Sequence, residues 1–502
     1  MPPQEIISET SPFLLEALET CLGPYEALYD EQDCLNINLF MPTASALISS
    51  SDNMDRSNRL PVFVWLFGGG FRRGGNGIPL LDATNFVARS IALSTPLIVV
   101  IPNYRTNYLG FLSSQELLLD NTLHNTPLGS VGNWGLQDQI LALEWVQEHI
   151  THFGGTPARV TLAGESAGAV SIGHLMRMQP KRQGLFHRAI VQSGAAAMVP
   201  AGYPEQDGQM YFDHLCRVFK VPEGIEGAGK VEWLRENVSG KEMAQELGSY
   251  ELCFFRPYLD HALVQDDGRV CDAEISLDPG LEWVVAGCCR DEAPMVAADT
   301  LEKFKVMRTR FCGDRTAFLQ RFDRLYGIPE SDAAALEASV QLTTDGMFRY
   351  PLLALSQHVQ ASSSNCRLSR FHFDCSLQKI REANPSIGAH HGSDLLFLFG
   401  ADEVSQHLTE QEKAVSAKMQ EVWIQVATCD LVKDTSEERS LLNQEAIWFK
   451  EDCTVSFTSW SERLSEDKIT FWQDAMEHHS KQAAFVLSPD VGFALLKPII
   501  GT

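Results

Sequence analysis

Several things are scarce or missing in this chain, and each absence excludes something. No apolar run approaches the roughly 18 residues that a membrane-crossing helix needs; the longest, around Val62–Phe67 and Leu97–Ile101, have the length of strands. The opening MPPQEIISETSPFLLEALETC contains no Lys or Arg, and acidic residues interrupt its apolar ones, unlike a secretory signal; the expected location is the cytoplasm. Positive charge is scarce: 40 Lys and Arg stand against 65 Asp and Glu, a formal charge of −25. Such a surface repels phosphate backbones and anionic bilayers, so neither nucleic acid nor a membrane is an expected partner. Cysteine supplies only 12 of 502 residues, too few for a disulfide scaffold. The paired CxxC units of a zinc site are missing, and no other His, Cys or carboxylate spacing suggests a metal or cofactor. The adjacent Cys288 and Cys289 read as reduced thiols in a buried strand.

What remains is globular composition, 44% hydrophobic and 21% charged. There is no repeat of fixed period, and the Ser-rich stretches Leu47–Asn58 and Ala361–Cys366 have the size of surface loops. Between them, strand-like and helical runs alternate. Pro61–Leu66, Pro96–Pro102, Arg159–Ala163, Arg188–Val191, Glu282–Ala286 and Leu368–Phe373 read as strands, and Asp138–His152, Ala167–Met178 and Glu410–Leu431 as helices. Continuous β-branched runs separated by helices imply an α/β fold with a mostly parallel sheet covered on both faces. The irregular stretch at about 195–280 reads as an insertion over the sheet, since no linker flanks it, and the whole of 1–502 as one domain.

Two motifs on this pattern carry chemistry. Arg159-VTLAGESAGAV passes from a strand through Gly164-Glu165-Ser166-Ala167-Gly168 into a helix, the form of a nucleophile elbow: small flanking residues permit a tight turn that lifts the Ser166 hydroxyl above the sheet at the positive end of a helix. On this reading its Oγ is exposed and unpacked. Val62-FVWLFGGGF then supplies an oxyanion loop, because three glycines after a buried strand let backbone N–H groups turn toward a bound oxygen. Gly69, Gly70 and the N–H of Ala167 are the expected donors.

Together with Gln32-DCLNINLF, Asn103-YRTNYLGFL, Gly132-NWGLQDQILALEWVQEHITHFGG and Gly184-LFHRAIVQSG, these segments resemble the type-B carboxylesterases, the family of the cholinesterases and certain fungal lipases. The likeness is dense to Gly194 and patchy beyond. It implies a single α/β-hydrolase domain with a cap over the active site, and a cytosolic enzyme of the fungal type. The family's acid lies in a Gly-x-x-x-Asp-Glu-Gly turn; Gly287-CCRDEA matches apart from Ala293, making Glu292 the acid and Asp291 the adjacent alternative. Ala293 raises a question only if that position needs a positive φ. The family's histidine loop matches Gly388-AHHGSDLLFLFG, which makes His391 the base and His390 a neighbour without a catalytic role. The order Ser, acid, His is that of α/β-hydrolases.

The chain also departs from the family. Only 32 residues precede Asp33, a shortened segment (1–31) in which Ser11-PFLLEALETCLG reads as a capped helix. Secreted relatives bridge the equivalent of Cys34 to an upstream cysteine; Cys21 is the one thiol available here. Phe67 replaces the His or Tyr that relatives place at the head of the oxyanion loop. Asn237-Val238-Ser239 is a lone glycosylation sequon.

The resemblance implies a serine hydrolase that cleaves small-molecule carboxylic esters through an acyl-enzyme, acting on a secondary metabolite or xenobiotic. An acyltransferase or lactone-forming enzyme with the same three residues, or a cholinesterase-like binding protein without activity, are the alternatives. Specificity is expected in the loops Arg72–Leu81, Asn107–Gly129 and Gly202–Asp278.

Overall fold

The computed structural model describes residues 30, 33–45, 59–124, 131–177, 183–199, 201–203, 207–246, 255–260, 263–265, 277–293, 300–313, 315–362, 366–383, 388–429, 446–458 and 463–478. Among these residues nine strands form one sheet: β1 (Ile37–Phe40), β2 (Leu60–Leu66), β3 (Ile98–Pro102), β4 (Gly155–Glu165), β5 (Arg188–Gln192), β6 (Trp283–Cys289), β7 (Arg367–Phe373), β8 (Ala446–Phe449) and β9 (Val455–Thr458). Their order across the sheet is β1-β3-β2-β4-β5-β6-β7-β8-β9. The outermost pairings, β1 with β3 and β8 with β9, are antiparallel, and the six between them are parallel.

Strand β2, LPVFVWL, shows why the sheet is covered on both sides: all seven residues are buried. Side chains alternate along a strand. Val62, Val64 and Leu66 accordingly pack into one core with Leu143 and Val146 of a helix at Trp134–His149 and Ile172 of a helix at Ala167–Leu175. Phe63 and Trp65 enter a second core with Phe86 from the helix Thr84–Ala92 and Trp423 from Glu410–Thr428. We name these helices α1 (Thr84–Ala92), α2 (Trp134–His149), α3 (Ala167–Leu175) and, adding Tyr350–Ser362 as α4, α5 (Glu410–Thr428). Each large apolar side chain so buried contributes about 1.5–3 kcal/mol. Pro61, which cannot donate to a ladder, sits where the β2–β4 register shifts between Leu60 and Val62.

All six expected strands and all three expected helices are present, with ends displaced by a few residues. Sequence patterning misses β1, β8 and β9, each four residues long. Runs so short carry too few residues for alternation to register. The stretch read as irregular is largely helical where described, with helices at Gln209–Val218, Ala228–Asn237 and Gly240–Glu246. Likewise the expected loop at 107–129 forms helices at Asn107–Phe111 and Gln115–Leu123. Lys230–Glu116 (3.1 Å) and Arg235–Asp120 (2.6 Å) ion pairs lock it to the second of those three helices. Ala361 and Ser362, expected in a loop, end α4. The expected N-terminal helix, Cys21 and the Ser-rich 47–58 lie outside the described residues.

Candidate active site

Strand β4 ends at Glu165 and α3 begins at Ala167, leaving Ser166 alone in the turn with φ 56° and ψ −123°. A non-glycine residue there is strained by about 1–3 kcal/mol, and surrounding packing must hold it. The flanking glycines show how tight that packing is: a Cβ on Gly168 would stand 2.1 Å from the Leu66 carbonyl oxygen, and one on Gly164 2.7 Å from the same atom. Ser166 N–H donates to the Gln192 carbonyl of β5 (3.0 Å), and its own carbonyl accepts the Val170 N–H of α3 (2.9 Å).

The hydroxyl is not exposed as the elbow alone suggests. Ser166 is 7% accessible. His391 and the glycine loop close over it. Nε2 of His391 lies 2.8 Å from Ser166 Oγ, and Nδ1 lies 2.7 Å from Glu292 Oε2. The other Glu292 oxygen accepts the Cys289 N–H at 2.7 Å, so a fully buried carboxylate is fixed from both sides. Backbone hydrogen bonds join the two loops: His391 N–H to the Glu292 carbonyl (3.3 Å) and Asp291 N–H to the Ala389 carbonyl (2.9 Å). Phe348 packs on the imidazole, ring centres 5.1 Å apart.

Asp291 turns the other way, held by Arg290 Nε at 2.8 Å. Of the two adjacent acids, Glu292 alone reaches His391. Ala293 is not among the residues with positive φ, so its replacement of glycine carries no backbone strain. His390 is fully buried, its Nδ1 bonded to the His391 carbonyl at 2.9 Å, and burial lowers its pKa.

Gly69 and Gly70 have φ of +113° and +64°, and a Cβ on Gly69 would stand 2.3 Å from the Arg73 carbonyl oxygen. Their neighbour Gly68 approaches the elbow so closely that a Cβ there would be 2.9 Å from Ser166 Cβ. Ala167 is the first residue of α3, where backbone N–H groups have no partner within the helix. Phe67 is buried and stacked on Tyr104 at 4.2 Å, whose hydroxyl donates to the Phe67 carbonyl at 2.5 Å.

Sequence reading overlooks two acids beside the histidine. Glu165, the variable residue inside GESAG, is buried with Oε1 3.1 Å from His391 Nε2. Burial pushes its carboxyl well up, against the pull of His391 and with help from Asp394 and Glu292. Asp394, in the histidine loop, accepts from Gln192 Nε2 (2.7 Å), and Gln192 in turn accepts from Trp423 Nε1 (2.7 Å). Burial pushes Asp394 up to about 6, and Glu292 adds to the rise. For His391 itself, burial pulls downward, but the surrounding carboxylates outweigh it and the pKa is raised. Glu165 contributes most to that rise, followed by Glu292, which is bonded directly to the ring, and by Asp394. No local signal marks Glu165: β4 also carries Thr156, Arg159 and Thr161, and the burial of its last residue comes from packing against other parts of the fold.

Among the described residues no cluster of His, Cys, Asp and Glu could hold a metal ion, and no helix is long and apolar enough to cross a membrane. Among the described residues Cys216, Cys288, Cys289, Cys312, Cys375 and Cys453 form no disulfide.

Known proteins resemble this chain along most of its length. It is 29% identical over 418 residues to para-nitrobenzyl esterase of Bacillus subtilis (strain 168), covering 79% of this chain and 74% of that one. It is 24% identical over 472 residues to carboxylesterase 5A of Felis catus, covering 90% and 79%. Over 190 residues, 37% of this chain and 29% of the other, it is 37% identical to secreted lipase 1 of Botryotinia fuckeliana (strain B05.10). A solved structure of PNB esterase superposes with a TM-score of 0.67 at 24% identity, covering 94% of this chain and 88% of that one, and establishes the α/β-hydrolase fold. Since the model of the carboxylesterase family matches residues 10–448, a span that takes in the elbow, the acid turn, the histidine loop and strands β1 to β7 beneath them, this chain belongs to that family and is a carboxylic ester hydrolase.

Proposed function

We propose that Ser166 is the nucleophile, His391 the general base and then acid, and Glu292 the residue that fixes and charges the imidazole. The observation that carries this reading is the unbroken pair of contacts from Ser166 Oγ to His391 Nε2 (2.8 Å) and from His391 Nδ1 to Glu292 (2.7 Å). A hydroxyl is a poor nucleophile until a base accepts its proton. In the proposed reaction His391 takes that proton as Oγ attacks the ester carbonyl carbon. The oxyanion so formed is met by the N–H groups of Gly69, Gly70 and Ala167. His391 then gives the proton to the departing alkoxide, and water repeats the sequence to release the acid. Glu292 stabilises the imidazolium that forms at each stage.

We read residues 1–502 as one catalytic domain acting on small-molecule carboxylic esters, secondary metabolites or xenobiotics among them. Six described cysteines outside any disulfide, Cys216, Cys288, Cys289, Cys312, Cys375 and Cys453, support a reducing, cytoplasmic setting. A fluorophosphonate probe tests the mechanism: peptide mapping is expected to find the label on Ser166 alone, and a label elsewhere, or none on active protein, refutes the assignment.

A further inference from the structure

Away from the proposed triad, the end of β7 and the β8–β9 hairpin bring two cysteines together. Cys375 follows β7 and is fully buried, Cys453 lies half-buried in the turn between β8 and β9, and neither forms a disulfide. Strand register holds them in place: Phe373 pairs with Phe449, and the Asp374 N–H donates to the Phe449 carbonyl at 2.7 Å. The Lys450 carbonyl then accepts twice, from the Cys375 thiol at 2.8 Å and from the Cys453 N–H at 3.0 Å. The two thiols are also hydrogen-bonded to each other.

The turn itself carries a second sign. Its ladder closes with the Lys450 N–H on the Thr454 carbonyl at 2.8 Å, which leaves Glu451, Asp452 and Cys453 as the loop, and the last of them takes φ 61°. Loops of this length ordinarily place glycine there, since glycine adopts left-handed backbone without strain. A cysteine in that place bears strain that glycine would avoid, and what it adds is a sulfur against Cys375. Burial raises both thiols, Cys375 well above its ordinary value, while the hydrogen bond from Cys375 favours the thiolate of Cys453. The half-buried sulfur is therefore the one that reacts first.

We propose that Cys375 and Cys453 form a disulfide when the protein meets a disulfide oxidant such as oxidised glutathione. The Cys453 thiolate attacks one sulfur of the oxidant, breaks its S–S bond and releases one molecule of glutathione. Cys375 then attacks the Cys453 sulfur of the mixed disulfide and expels the second glutathione, which takes up the Cys375 proton. The two protein thiols lose two electrons, and the oxidant gains them as two thiols. Under a reducing poise the pair stays as thiols. The bridge ties the end of β7 to the hairpin whose Glu451 holds Arg290 at 2.6 Å beside the acid turn. It does not depend on the roles assigned to Ser166, His391 and Glu292, and its test reads a covalent bond rather than turnover.

Trypsin makes the test unambiguous, because it leaves each cysteine alone in its own peptide, Phe371–Lys379 and Glu451–Arg463. The full chain is equilibrated with oxidised glutathione or with dithiothreitol, its remaining thiols are alkylated, and the peptides are mapped without reduction. The oxidised sample is expected to give these two peptides joined, a product that dithiothreitol removes. It should also melt a few degrees above the reduced sample, since a bridge across a long loop restricts the unfolded chain. Cys453→Gly, with a backbone angle that suits glycine, should melt no lower than reduced wild type, give no joined product and lose the response of its melting temperature to oxidant. Oxidised wild type without the joined peptides, with either cysteine joined to a third, or with glutathione left on Cys453 and Cys375 alkylated, overturns the proposal. So does a Cys453→Gly protein whose melting temperature still rises with oxidant.

Discussion

The Ser166 backbone is set by residues next to it in sequence, from the last residue of β4 to the first turn of α3, with its N–H donating one hydrogen bond to β5. His391 and Glu292 are held by each other. They stand 99 residues apart, on loops that follow β7 and β6, and meet because those strands are neighbours in the sheet and their loops exchange backbone hydrogen bonds. The elbow is therefore a steric device, in which glycines at 164 and 168 make room for a strained serine, and the acid–histidine joint is an electrostatic one, in which buried carboxylates surround an imidazole. The first should fail when volume is added and the second when charge is removed.

Removing the nucleophile should have the largest effect. Ser166→Ala is expected to lower kcat by about 10⁴–10⁶ while leaving the melting temperature close to wild type, because its Oγ is bonded to a side chain and not to the fold. Steady-state hydrolysis of p-nitrophenyl esters, paired with thermal unfolding, measures both. Retained turnover in purified protein would end the assignment.

Next comes the joint. Glu292→Gln keeps the shape but lets the imidazole take the wrong tautomer, a loss of up to about 10⁴ in a comparable triad. Asp291→Asn, facing Arg290 instead, should change kcat by no more than a few-fold. A larger loss from the Asp291 change would exchange the roles of these two neighbours.

The elbow is expected to respond to volume. A methyl group on Gly168 meets the Leu66 carbonyl, so Gly168→Ala should destabilise the fold by about 1–3 kcal/mol, as overpacking does, and distort the serine with it. Denaturant unfolding checks this. At the acid turn the converse change is mild: with no positive φ to relieve, Ala293→Gly should leave activity within about two-fold and lower stability by less than about 1 kcal/mol, the cost of a more flexible chain.

A pH profile separates the charges around His391, which are Glu292, Glu165 and Asp394, with His390 beside them. The base must be neutral to accept a proton, and neighbouring carboxylates stabilise its charged form. The acid limb of kcat/KM should accordingly have its midpoint above the ordinary imidazole value of about 6.5. Removing a charge lowers that midpoint: Glu292→Gln should move the limb toward acid pH. Glu165→Gln should move it in the same direction, since Glu165 contributes most to the raised imidazole. A limb left in place by the Glu165 change would make Glu292 the main field on the ring.

Much of this was legible in the sequence because its cause is local. Seven consecutive apolar residues in β2 can only be a strand buried on both faces, and strand–GESAG–helix can only be a sharp turn that needs its glycines. The acid and the base were legible only through motifs, since nothing in Gly287-CCRDEA says which carboxylate points inward and nothing in Gly388-AHHGSD says which imidazole does.

Tertiary structure decided the rest, for reasons of distance along the chain. That Glu292 faces His391 while Asp291 faces Arg290 depends on β6 lying beside β7. That Ser166 is covered depends on the glycine loop after β2 closing against the end of β4. The raised carboxyl of Glu165 and the contact of Cys375 with Cys453 arise from groups that are far apart in sequence and share one low-dielectric space, and no window of sequence contains their sum. The sequence by itself determined which segments would be strands and helices and which serine would be lifted between them; only the folded sheet determined what surrounds that serine.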